Sequence, residues 1–151
     1  MMAQPQTTTP IDEKVAELLD EFEAMVDWED RYQLIIEIGD DLAPLPDEYH
    51  TPQYKVEGCV SQVWLKHSLQ TDNGSAPIVH FSADSDSHLV RGLVAMLVEL
   101  FSGRPASEIL AFDIEGFFGR LRLQEHLSRS RSNGLRAMIR RIHAICEAAL
   151  R

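Results

Sequence analysis

Two cysteines, Cys59 and Cys146, stand in this chain of 151 residues, and their surroundings differ. Cys59 lies within Val56-Glu57-Gly58-Cys59-Val60-Ser61-Gln62-Val63-Trp64-Leu65, directly after a glycine that permits a sharp reversal of the chain. Cys146 falls on the apolar face of the last helical pattern, where a cysteine acts as a small hydrophobe. By composition alone an inert, buried thiol is also the commoner reading of Cys59. Its neighbours argue otherwise. Val56 and Val60 are placed to shelter the sulfur, while Ser61 and Gln62 offer polar groups to a thiolate or a persulfide. A thiol at a loop tip is open to a docking protein yet partly screened from oxidants, which suits sulfur transfer better than packing.

Other chemistries find less support. A cysteine nucleophile that works alone needs a histidine, a helix N-terminus or a cation beside it. The histidines at 50, 67, 80, 88, 126 and 143 form no hydrolase pattern, and no Gly-x-Ser-x-Gly elbow is present. A zinc or iron–sulfur site needs three or four soft ligands, and the chain has neither a Cys-x-x-Cys pair nor a Cys/His cluster at finger spacing. Met25, Met96 and Met138 read as core. Arg129, Arg131, Arg136, Arg140 and Arg141 read as a solvated helix face, with Arg131, in a loop before the helix, as a candidate contact for a partner or for the Cys59 loop.

Charge narrows the partners. Residues 1–50 carry fourteen acidic side chains against Lys14 and Arg31, a net of −12, whereas the remainder carries ten acidic and twelve basic residues, a net of +2. That acidic third repels a phosphate backbone, so nucleic-acid binding is disfavoured. It suits either steering towards a basic protein surface or simple solubility. The N-terminus shows no signal-peptide pattern, and the longest apolar run, Leu93 to Leu100, is broken by Glu99, so a cytoplasmic address is the expectation.

The elements that must hold Cys59 follow from periodicity. A flexible tail over 1–8 precedes a single domain over 9–151. Thr9 reads as a helix N-cap with Pro10 at the first helical position, followed by Val15, Leu18, Leu19, Phe22 and Val26 at helical spacing. Asp27 starts a second helix that fades at Gly39-Asp40-Asp41, and Pro44, Pro46 and Pro52 enforce a loop. Tyr54–Glu57, Ser61–Leu69 and Ile78–Ala83 read as three antiparallel strands. Val63, Leu65 and, next in the alternation, His67 face inward, and Asp72-Asn73-Gly74-Ser75 makes a turn. Ser85 or Asp86 then caps an apolar central helix over His88–Phe101. Pro105 opens a short helix, one or two helical turns follow over Phe112–Leu123, and Ser128 or Ser130 caps a last helix. The class is α+β, a small three-stranded antiparallel sheet packed against N- and C-terminal helices.

Several motifs in one order carry a resemblance. Gly58-Cys59-Val60-Ser61-Gln62-Val63-Trp64, Ser82-Ala83-Asp84-Ser85-Asp86, Val90-Arg91-Gly92-Leu93, Leu123-Gln124-Glu125-His126-Leu127 and Ser130-Arg131-Ser132-Asn133-Gly134-Leu135 together resemble the SufE/CsdE family of sulfur acceptors. The likeness runs from about Ile11 to the C-terminus and includes Trp28–Leu42. It implies a fold shared with IscU-type scaffolds and a partner, a cysteine desulfurase of the SufS or CsdA type, that carries the pyridoxal phosphate itself; no cofactor or metal is implied for this chain. Cys59 matches the acceptor that takes a persulfide sulfur, stimulates the desulfurase and passes the sulfur to an iron–sulfur assembly scaffold. Gly58, Val60, Ser61, Gln62, Asp86 and Arg131 match loop and partner-facing positions. Val60 departs from the frequent glutamine, a change that bears on loop mobility and partner preference; Arg129 replaces a common proline, and the Lys66–His80 hairpin is longer. The alternative within this fold is a scaffold that binds a metal or an iron–sulfur cluster, with Cys59 as one ligand.

Overall fold

The computed structural model describes residues 10–71 and 76–151; the expected N-cap Thr9, the 1–8 tail and the Asp72–Ser75 turn lie outside them. Helix α1 (Ile11–Glu23) buries the stripe Val15, Leu18, Leu19 and Phe22. Pro10 is its cap, one place later than expected, because its ψ of 145° is still extended. Val26 lies beyond the helix and is 87% exposed, so it leaves the apolar stripe to which its spacing assigned it. Helix α2 (Trp28–Asp40) follows Asp27 directly.

Helix α3 (His88–Phe101) is apolar on nearly every face and forms the centre of the core, with Met96, Leu97, Leu100 and Phe101 fully buried. Its cap is Ser87, whose Oγ accepts from the Val90 N–H at 3.3 Å, not Ser85 or Asp86. Ser85 instead accepts from the Ser87 N–H, and the Asp86 carboxylate turns to the Cys59 loop.

Strands β1 (Val63–Gln70) and β2 (Ile78–Ser85) pair antiparallel in register from Val63 opposite Ser85 to Gln70 opposite Ile78. The sheet has three antiparallel strands, as expected, but the third is β3 (Arg104–Pro105), which pairs with the start of β2. Tyr54–Glu57 contributes a single bridge, Lys55 to Trp64, backed by the Val56 N–H to Val63 and Leu65 N–H to Tyr54 bonds at 2.8 Å. The turns that end at Tyr54 and begin at Glu57 leave it too short to continue the ladder. On β1, Val63 and Leu65 face the core, whereas His67 lies past its edge and is exposed.

After Gly103, at φ 84°, reverses the chain, helices α4 (Ala106–Ala111), α5 (Ile114–Leu121) and α6 (Leu123–His126) wrap one end of the core. Helix α7 (Arg129–Ala149) closes the fold with Leu135, Met138, Ile139, Ile142 and Cys146 inward. Ser128 caps it by accepting from the Arg131 N–H at 3.2 Å. Arg131 therefore stands in the first turn of α7 and not in a loop before it. Among the described residues, seven α-helices and three strands make an α+β fold, and no helix is long and apolar enough to cross a membrane.

Candidate functional site

Two buried valines, Val56 and Val63, pin the ends of the Cys59 loop into the core. Between them the chain must turn without intruding on α7. Gly58 makes this possible at φ 94°, where a Cβ would also come within 3.2 Å of Ala137 Cβ. A side chain there would be strained twice over, by conformation and by contact.

The turn lays Cys59 against α7. Its thiol donates to the Gly134 carbonyl oxygen at 3.5 Å, and a Cβ on Gly134 would stand 3.4 Å from the sulfur. A glycine inside a 21-residue helix costs roughly 1 kcal/mol against alanine, so its presence calls for a packing reason. Here the Cys59 side chain packs over the glycine, but an alanine methyl would still fit, and only a larger side chain would displace the sulfur. Gly134→Ala is expected to raise stability by up to about 1 kcal/mol, because the new methyl meets Sγ only at ordinary contact distance. Gly134→Leu fills the space that the sulfur occupies and pushes Cys59 outward. Its iodoacetamide alkylation should then rise, on the order of tenfold for each pKa unit that the thiol regains. Equal alkylation rates in all three proteins would show that Gly134 does not set the position of the sulfur.

Beside the sulfur lies a cavity of about 220 Å³ between the loop, α3 and α7. Val63, Val90, Leu93 and Met138 make it apolar, and Ser61, Ser130 and Arg131 bring polar groups to it. Cys59 is half-buried, and its thiol is pushed above the ordinary range, first by that burial and then by the Glu57 carboxylate, with Lys55 opposing. The resting sulfur is therefore a neutral thiol. Shelter comes from α7 and α3 rather than from both flanking valines: Val56 is buried, but Val60 is 82% exposed, because the turn that tucks Cys59 inward points the next side chain out.

Asp86 meets the loop from the other side. Its Oδ1 accepts from the Gln62 N–H at 3.0 Å, and its own N–H donates to the Gln62 carbonyl at 3.2 Å. The loop is thus clasped just past the cysteine, through the backbone of Gln62 and not its side chain. The structure brings Cys59, Val60, Ser61 and Arg131 to the rim and lining of one cavity, Val60 with most of its surface in solvent, and ties Asp86 to the backbone of the exposed Gln62.

Sequence reasoning missed what anchors the clasp. Asp84 accepts from Arg91 Nη1 at 2.7 Å and from His50 Nε2 at 2.9 Å. Arg91 also donates to the carbonyls of Gly39 at 2.9 Å and Leu42 at 3.0 Å, and the His50 ring packs edge-on against Trp64. These bonds join the end of β2, the start of α3, the end of α2 and the segment that leads into the Cys59 loop. The opposed charges Asp84 and Arg91, seven apart, were the available signal. Cys146 is fully buried, and burial, with Glu147 adding, pushes its thiol up to about 11. Among the described residues no three His, Cys, Asp or Glu side chains are grouped to hold a metal ion.

Comparison with known proteins adds relatives to this geometry. The family described as "SufE: Fe-S metabolism associated domain" matches residues 16–146. An uncharacterized SufE-like protein of Rhizobium meliloti (strain 1021) is 46% identical over 134 residues, 89% of this chain and 95% of that protein. A second uncharacterized SufE-like protein, from Rhizobium etli, is 49% identical over 126 residues, 83% of this chain and 84% of the relative. The solution structure of a hypothetical protein from Thermus thermophilus superposes with a TM-score of 0.69 at 22% identity, over 91% of this chain and 96% of that one, and so shares the fold.

Proposed function

Because this chain belongs to the SufE family, associated with Fe-S metabolism, we propose that it is a sulfur carrier whose acceptor is Cys59. The observation that carries this reading is the placement of Cys59: half-buried at a glycine turn, hydrogen-bonded to α7 and opening onto an apolar cavity. The donor is a cysteine desulfurase of the SufS or CsdA type that presents a persulfide on its own cysteine and carries the pyridoxal phosphate. This chain brings no cofactor to the step. Its loop stimulates the desulfurase by drawing off the sulfur, in the cytoplasm, and delivers it to a scaffold for iron–sulfur cluster assembly.

The step is an exchange without net oxidation. The Cys59 thiolate attacks the terminal sulfur of the desulfurase persulfide; a new S–S bond forms on Cys59 and the desulfurase S–S bond breaks. The desulfurase cysteine leaves as a thiolate and takes up the proton that Cys59 released. Its rate follows the thiolate fraction and the access of Cys59. In the free protein both are low, since the thiol is raised by burial and by Glu57 and lies against α7. Activation therefore belongs to the complex, where the loop swings Cys59 out of its cavity. Gly58 at one flank and the two Asp86–Gln62 bonds at the other define the hinge and the clasp.

The test is direct. The protein is mixed with a cysteine desulfurase and L-cysteine, and its mass and peptide map are taken under non-reducing conditions. Added sulfur on the peptide that contains Cys59 is the expected result. Sulfur on Cys146, or none with any desulfurase of either type, overturns the reading.

A further inference from the structure

Among the described residues, four large apolar side chains stand well exposed: Val26, Val60, Leu69 and Leu150. Three of them lie in the α1–α2 connection, near the end of β1 and past the end of α7. The fourth, Val60, follows the acceptor cysteine and is 82% exposed. Consecutive Cα atoms are about 3.8 Å apart, and a reacting atom must come within about 3.5 Å of the sulfur. Cys59 and Val60 also line the same cavity, so a protein that presents a persulfide to Cys59 docks beside Val60.

We infer that Val60 is a specificity-determining contact of this carrier: the donor protein has an apolar seat, next to its persulfide, that receives the Val60 side chain. The inference rests on the carrier reading above and names the chemistry of the surface that meets the loop. The loop's surroundings give Val60 the character of an anchor. Glu57 and Gln62 on either side of it are exposed and polar, so one apolar side chain is ringed by groups that remain wetted, the usual anatomy of a contact that dominates an interface. An apolar seat also keeps water from the sulfur while it is transferred. A donor whose mouth is polar at this place leaves Val60 without a partner and its own polar groups desolvated, and so is rejected.

Two measurements on the full chain separate this role from a general effect on the loop. The first is the steady-state rate of Cys59 persulfidation by a desulfurase and L-cysteine, as a function of carrier concentration. The second is iodoacetamide alkylation of Cys59 with no desulfurase present. Val60→Ala should raise the KM for the carrier about tenfold, the consequence of two methylene equivalents left unburied. Val60→Asp should raise it on the order of a hundredfold. In both, kcat and the alkylation rate should stay within about twofold of the unchanged chain, since a side chain 82% exposed carries little packing in the free protein. An unaltered KM overturns the inference, as does a fall in transfer matched by a fall in alkylation, which would place the effect in the free loop. If the unchanged chain accepts no sulfur from any desulfurase, the carrier reading fails and takes this inference with it.

Discussion

Gly92→Ala is expected to lower the stability of this protein by at least about 3 kcal/mol, a large share of the roughly 5–15 kcal/mol that holds a domain folded. Helices α2 and α3 touch backbone to backbone at Gly39 and Gly92. A Cβ on Gly92 would stand 2.0 Å from the Ile35 carbonyl oxygen and 2.6 Å from Ile35 Cγ2. The nearest atom is main chain, so no rotamer change relieves the overlap, and α2 must move away from α3. That shift also pulls on the bonds from Arg91 to the Gly39 and Leu42 carbonyls. The opposing term is the helical preference of alanine over glycine, about 1 kcal/mol, and it is outweighed. Gly119→Ala isolates that smaller term: Gly119 lies in α5 with nothing within 4 Å of its added methyl. It should raise stability by about 0.5–1 kcal/mol. Urea titration of the three proteins checks both signs; a Gly92→Ala midpoint equal to or above that of the unchanged chain would contradict the packing argument.

What the sequence discloses and what it hides divide along a physical line. Helices α3 and α7 are long, periodic and capped by serine, so their existence and their inner faces are written in the spacing of Leu93, Met96, Leu97 and Leu135, Met138, Ile142. The turn at Gly58 is equally legible, because a glycine before a strand pattern has few other uses. Strand β3 is not. With two residues it has no alternation to read, and Pro105 serves at once as its end and as the cap of α4. The cap of α3 was expected at Ser85 or Asp86 and falls instead on Ser87, the third of three adjacent residues of similar capping ability. The choice is set by the Gln62 backbone, which engages Asp86 from across the fold. The same limit explains Val60. Pattern gives the position of the turn but not which of its side chains tucks against α7, and that decides which of Cys59 and Val60 is sheltered. Asp84 was legible only as part of a motif. Its partners lie 34 residues before it and seven after it, a link that appears only once the chain is folded.

Replacing the two cysteines by serine is expected to produce opposite losses. Cys59→Ser should abolish sulfur uptake and leave stability within about 0.5 kcal/mol of the parent. The site is half-buried and polar on one side, and a hydroxyl is tolerated where the thiol already donates to Gly134. Cys146→Ser should keep sulfur uptake and cost about 1–2 kcal/mol, the penalty of a hydroxyl in a fully buried apolar setting, relieved in part by a bond to the preceding helical turn. The acid–base state of each thiol sharpens the contrast. With its thiol near 11, Cys146 is ionised to roughly one part in ten thousand at pH 7, and no path leads to it in the folded chain. Cys59 is also raised by burial and by Glu57, so its alkylation should climb with pH to a midpoint above that of a free thiol. Because the Glu57 charge opposes ionisation, Glu57→Gln should move that midpoint down and raise the rate at neutral pH. The measurements are mass-resolved alkylation against pH in the native protein and in urea, alongside persulfidation of each variant. In the native protein only Cys59 should react; in urea both should react, with midpoints drawn together as burial is lost. Sulfur uptake that survives Cys59→Ser, or native alkylation at Cys146, would move the acceptor away from the turn and leave the cavity beside it without a role in the transfer.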